Sequence, residues 1–158
     1  VPDNLDGMLA RMGAPSYQRR DADWIPGGEA GALPQVPFVR ASGGMSPPAV
    51  DYAVFCQMFL NGGVYNGVRI LSQETVARMT SDTYFSGGEF DPERGARVGY
   101  GFGWAVAEDG TFSHTGSDGT AAWVDPIHDL IVLAFTQTPR GANPRGKFLE
   151  VVRSAIMN

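Results

Sequence analysis

The spacing of hydrophobic and polar positions changes along this chain, and the changes divide it. Leu5, Met8, Leu9 and Met12 recur at helical spacing behind Asp3, a capping residue type, and predict a short helix. Gly and Pro then crowd the stretch from Pro26 to Pro37. Irregular chain of that length is unusual inside a compact domain, so residues 1–45 read as an irregular segment wrapped over other structure.

The stretch SGGMSPPAVDYAVFCQMFLNGG, Ser42 to Gly63, leads into residues 46–158, which read as one unit of helices and antiparallel sheet. Ser46 is a good N-cap and Pro47 suits the first helical position, where its missing N–H costs nothing. Val50, Val54, Phe55, Met58 and Phe59 form the expected inward stripe, with Cys56 beside it as a packed, inert thiol. Gly62 and Gly63 stop this helix. A second helix starts at the N-cap Ser72, carries Glu74 in its first turn and turns Val76 and Met79 inward. Ser81 to Arg97 is a polar, Gly-rich loop.

From Val98 the period becomes that of strands. VGYGFGWAVAE predicts one strand with Tyr100, Phe102 and Trp104 on a common face. Its glycines read as room for a neighbouring helix rather than a phosphate cradle, because no helix follows G-x-G-x-G here. Asp109-Gly110 is a strong hairpin signal into TFSHTG, and TAAWVDP follows. Asp125 to Asp129 turns into LIVLAFTQ, an unbroken apolar run that predicts cover on both faces. Asn143-Pro144 opens a last helix with Phe148, Val151, Val152, Ala155 and Ile156 inward. The fold class is α+β: an antiparallel meander packed with helices.

Composition narrows the function. At 158 residues, 43% apolar and 18% charged, the chain can bury a real core. A net charge of −5 with one adjacent basic pair, Arg19-Arg20, carries no nucleic-acid footprint. No apolar run approaches the ~20 residues of a membrane span, and no signal-peptide pattern opens the chain. Cys56 is the single cysteine and His114 and His128 are the only histidines, so neither a disulfide within the chain nor a zinc site is expected, and no cofactor is implied. There is no G-x-S-x-G elbow. Ser113 and His114, adjacent on a strand, point to opposite faces and make a poor nucleophile–base pair.

His114-Thr115-Gly116-Ser117 is the candidate site. A histidine at a strand end is by itself more often structural than catalytic. Here Gly116 allows close approach of a ligand to the backbone, and Ser117 offers a backbone N–H at the same edge. His114 and Gly116 share a face, so the imidazole could bind a carbonyl or carboxylate. Such a strand can bind and polarise an acyl group but supplies no nucleophile.

Four stretches in register resemble the C-terminal portion of the serine β-lactamase-like family, which includes class C β-lactamases, D-alanyl-D-alanine carboxypeptidases and related esterases. SGGMSPPAVDYAVFCQMFLNGG, with Asp51-Tyr52 and Asn61-Gly62-Gly63, resembles its Gly-rich turn and helix; GVRILSQETVARM resembles the segment that follows, and GYGFGWAV the first C-terminal strand. HTGSDGTAAWVDP resembles the third active-site motif, Lys-Thr-Gly or His-x-Gly, as it stands in the esterase-like branch. The resemblance implies a partial β-lactamase/transpeptidase-like fold and an acyl-serine hydrolase acting on an ester, peptide or β-lactam. In it, His114 binds or polarises the small acyl substrate, Ser117 N–H is one of two oxyanion donors, and Thr115 and Gly116 shape the strand. His in place of Lys at position 114 leans toward esterase or peptidase-like chemistry. Relatives are often exported, and both an exported and a cytoplasmic bacterial location stay open.

The chain departs from the family where the nucleophile belongs. No serine has Lys three residues on, the single lysine is Lys147, and no tyrosine begins Tyr-x-Asn. Those motifs belong to the first half of the family's sequence, and the chain opens at Val1 rather than Met. The expectation is therefore a C-terminal part, lacking the N-terminal half and inactive alone, since loss of a nucleophile costs orders of magnitude in rate. The rival is a free-standing, non-catalytic module for binding or self-association with the same half-fold. A complete hydrolase built on Ser113 or Ser117 ranks below both, for want of a third orienting residue. In either leading case the last strand is expected to pair outward, with a second copy or with the missing half.

Overall fold

The computed structural model describes residues 17–26, 47–81, 90–91, 96–136 and 144–156. The helix expected over Leu5–Met12, most of the Gly/Pro-rich stretch and the cap Ser46 lie outside these residues. Within the segment read as irregular, β1 (Tyr17–Arg20) and β2 (Asp23–Pro26) form an antiparallel hairpin. Its two-residue turn is made possible by Asp21 at φ 55, a left-handed conformation that Asp tolerates better than most residues.

Helix α1 (Ala49–Leu60) begins two residues later than Pro47 predicts, with Pro48 as an extended cap. The reason is steric: a residue preceding proline is pushed out of the helical region, so Pro47 cannot be the first helical residue. The inward stripe holds at Met58 and Phe59 but is shifted toward Cys56 elsewhere. Cys56, Met58 and Phe59 are buried, whereas Val50 is 73% exposed and Phe55 43%. Gly62 and Gly63 end the helix as expected, their N–H groups donating to Phe59 O and Met58 O. A short hairpin, β3 (Val64–Tyr65) and β4 (Val68–Arg69), leads to α2 (Gln73–Met79). Ser72 caps α2 by accepting from Thr75 N at 3.0 Å.

The remaining strands are β5 (Phe90–Asp91), β6 (Ala96–Tyr100), β7 (Ala105–Ala107), β8 (Phe112–Thr115), β9 (Ala121–Asp125) and β10 (Leu130–Ala134). They form one antiparallel meander in the order β10-β9-β8-β7-β6-β5. The stretch read as a single strand over Val98–Glu108 is two strands. Gly103, at φ 83, reverses the chain, and Gly101 N donates to Trp104 O. Trp104 is consequently buried while Tyr100 and Phe102 stay exposed, so the three do not share a face. Gly101 does admit a helix: a Cβ there would strike the backbone carbonyls of Met79, at the end of α2, and Ser81.

Residue alternation sends the two faces of the sheet to different helices. Ala122, Val124, Phe112, Val106 and Trp104 join Cys56, Met58, Phe59 and Val76 in one core, with Ile131 and Leu133 against it. Ala121, Trp123 and Val132 pack on Leu149 of α3 (Arg145–Ile156), together with Leu130, Ala134 and Val152. Strand β10 is thus covered on both faces, as its apolar run predicts. Helix α3 meets the sheet through Leu149 and Val152; Phe148, Val151, Ala155 and Ile156, expected inward, are exposed. Burying Phe148 or Val151 would require turning the helix about its axis and withdrawing Leu149.

Candidate functional site

Strand β8 places His114 beside Ala122 in the ladder and on the same side as the buried Phe112. Phe112 lies under α1 and α2; His114, two residues nearer the strand end, lies beyond their cover and is exposed. Among the described residues its imidazole has no hydrogen-bond partner. Ser113 is 3% exposed and faces the α3 side with Trp123, which removes it as a nucleophile for a substrate at His114.

Thr115 and Gly116 are half-buried and Ser117 is exposed. Gly116 N donates to Thr120 O at 2.8 Å and Gly119 N to Gly116 O at 3.3 Å, closing the turn between β8 and β9. A Cβ on Gly116 would collide with Thr120 Oγ1, so this glycine is needed for close approach rather than for an unusual φ. Ser117 Oγ donates to Asp118 Oδ2 at 3.4 Å, and Ser117 N–H donates to no described residue. An exposed imidazole and a backbone N–H without a described acceptor thus lie three residues apart at one strand end, two groups of the kind that bind and polarise a carbonyl.

The other histidine occupies the opposite end of the sheet. His128 Nδ1 is 2.8 Å from Asp125 Oδ2, while Asp125 Oδ1 accepts from Ile127 N at 2.9 Å and His128 N at 3.1 Å. Burial pushes the Asp125 carboxyl up, but hydrogen bonds from the His128 ring and the two backbone N–H groups, with the imidazole's charge, outweigh it and hold it below the ordinary carboxylate range. These bonds shape the β9–β10 turn, an Asx-type use of Asp that the sequence reading did not assign. A cavity of about 220 Å³ lies here, lined by Asp109, Asp125, His128, Leu130, Arg153 and Ile156. It is remote from His114 along β9. Among the described residues no group of three or more His, Cys, Asp or Glu could hold a metal, and no helix is long and apolar enough to cross a membrane.

Tyr84-Phe85-Ser86 has the Tyr-x-Ser spacing of a nucleophile's partner and lies outside the described residues. Lys147 stands on α3 and pairs with Glu150 at 2.9 Å on the surface, away from His114. The four residues of the candidate motif are contiguous at one strand end, and two residues the sequence did not signal reach the same turn: Arg145 donates to Gly116 O and Thr136 to Gly119 O.

Helices on both faces of one antiparallel sheet are similar to the β-lactamase-like fold. Simvastatin synthase from Aspergillus terreus superposes with a TM-score of 0.65 over 98% of this chain and 44% of its own, at 16% identity, a likeness of fold alone. The chain belongs to the beta-lactamase family, whose model matches residues 4–155. An uncharacterized protein of Mycobacterium tuberculosis is 37% identical over 117 residues, 63% of this chain. A Salmonella paratyphi B protein provisionally named a D-alanyl-D-alanine carboxypeptidase is 29% identical over 122 residues, 68% of this chain. The chain spans 29% and 26% of the length of those two relatives.

Proposed function

We propose that this chain forms the substrate-facing C-terminal part of a serine hydrolase that opens an ester, peptide or β-lactam through an acyl-serine. The observation that carries this reading is the exposed His114 beside the open Ser117 N–H, at the position of the family's third motif. His114 hydrogen-bonds the substrate's acyl or carboxylate oxygen, and Ser117 N–H is one of two donors to the oxyanion. The attacking serine and its Lys partner come from a Ser-x-x-Lys segment outside these residues, and the Tyr partner belongs to a separate motif. His rather than Lys at position 114 favours esters over β-lactams.

The same reading assigns a partner to β10. It is the terminal strand of the sheet among the described residues, apolar on both faces, and LIVLAFTQ holds no Pro, charge or Gly to discourage pairing. In the hydrolase its outer edge takes a strand of the nucleophile-bearing segment; in the isolated chain, two-fold pairing with a second copy is the simplest closed substitute.

Steady-state hydrolysis of a p-nitrophenyl ester by the intact hydrolase, wild type against His114→Ala, tests the site. The reading expects kcat/KM to fall about 10²-fold or more, and equal values would overturn it. For β10, sedimentation of the isolated chain at low micromolar concentration is expected to show a dimer. A monomer whose β10 amides resist hydrogen exchange would mean that another part of the chain covers the edge.

A further inference from the structure

The turn between β8 and β9 is held from outside as well as from within. Thr136 Oγ1, just beyond β10, donates to Gly119 O at 2.9 Å. Arg145 Nη1, on the first residue of α3, donates to Gly116 O at 3.3 Å. The first contact spans 17 residues of sequence and the second 29, so two separate elements grip the carbonyls of the two glycines that bound the turn.

A turn at a sheet end, with Ser117 and Asp118 exposed, is ordinarily among the most mobile parts of a domain. Donors aimed at a developing oxyanion act only when held within roughly 0.5 Å of their place. A misplacement of about 1 Å costs on the order of 10²-fold in rate. An arginine donor to a carbonyl is charge-assisted and stronger than a neutral one. Helix α3 also has its own apolar anchors, Leu149 and Val152 on Trp123 and Val132, so it does not depend on Arg145 to stay docked.

We infer that Arg145 and Thr136 are positioning residues for the candidate site: they fix both glycine carbonyls of the Gly116–Thr120 turn and so aim Ser117 N–H beside His114. The contacts stand on the structure, and their consequence for catalysis rests on the hydrolase reading above.

The test uses Arg145→Met and Thr136→Val in two arms. In the 158-residue chain, Gly116 and Gly119 amides should exchange about 10-fold faster, and the Ser117 N–H order parameter should fall from about 0.85 to below 0.6. Amides of Trp123, Val132 and Val152 should keep their rates. Unchanged turn amides would overturn the inference, and so would equal acceleration throughout β9, β10 and α3, because the contacts would then hold the whole domain. In the intact hydrolase, kcat for a p-nitrophenyl ester should fall about 10-fold with KM within about two-fold, and Arg145→Lys should restore most of it. Unchanged kcat would reject the positioning role. A wild-type protein that hydrolyses nothing rejects the hydrolase reading instead, and the first arm still decides whether the clamp exists.

Discussion

His128 Nδ1 lies 2.8 Å from Asp125 Oδ2, and the other oxygen of that carboxylate accepts two backbone N–H groups of the turn it begins. The pair closes the β9–β10 corner, next to the core residue Val124 and at the far end of the sheet from His114.

Stability should therefore depend on Asp125 ionisation. A carboxyl whose folded pKa is lowered stabilises fully above its unfolded value, about 3.9, and that contribution is lost as pH falls through the lower folded value. Asp125→Asn should cost about 1–2 kcal/mol at neutral pH, and the difference from wild type should shrink as the solution is acidified through the carboxylate range. Urea denaturation across pH measures it; a pH-independent difference would mean that the ionised form is not what the turn uses.

The thiol of Cys56 behaves in the opposite sense. It is 0% exposed, and burial raises its pKa to about 11. Thiol reagents should leave it unmodified in the folded chain and label it fully in denaturant. Its neutral form adds stability that is complete below about 8.5, the unfolded value, and declines as pH rises toward the folded one. Cys56→Ala should flatten that alkaline decline while costing on the order of 1–2 kcal/mol for the lost packing. Native-state labelling at the rate of a free thiol would contradict the packing described.

Two glycines should respond differently to alanine. At Gly101 the added methyl meets backbone oxygens of Met79 and Ser81, which cannot rotate away, so a loss of about 3 kcal/mol or more is expected. At Gly116 it meets the Thr120 hydroxyl, which can turn aside. Gly116→Ala should cost about 1 kcal/mol, and much of that should vanish in a Thr120→Ala background, a coupling visible in a double-mutant cycle. Additive effects would show that the turn itself, not the hydroxyl, resists the substitution.

These contrasts show what the sequence could carry. Ser72, Asp109-Gly110 and the run LIVLAFTQ each state a local rule that the structure obeys. The phases of α1 and α3 were not legible, because both helices have apolar residues on more than one side and the choice is made by the sheet. Val50 stands in the apolar stripe and Cys56 beside it, yet Cys56 is the one buried, while Phe55 covers the core from its rim by stacking on Trp104. The hairpin at Asn66-Gly67 has one of the strongest turn signals, absent from the elements expected above; both residues take positive φ, 50 and 80. The break at Gly103 was hidden inside a convincing alternation. The His114–Ser117 motif was legible because its residues are contiguous. Thr136 and Arg145 were not, since only the folded meander carries them to the same turn.

If this chain supplies the substrate-facing strand and another segment the nucleophile, the serine that becomes acylated lies outside it, and mapping that serine decides the matter. The intact protein is treated with a fluorophosphonate or a β-lactam, digested, and the modified serine located by mass spectrometry. Modification is expected at the serine of a Ser-x-x-Lys motif outside these 158 residues, with no modification of any serine within them and slower labelling in His114→Ala. A stoichiometric adduct on Ser113, Ser117 or any other serine of this chain would contradict it.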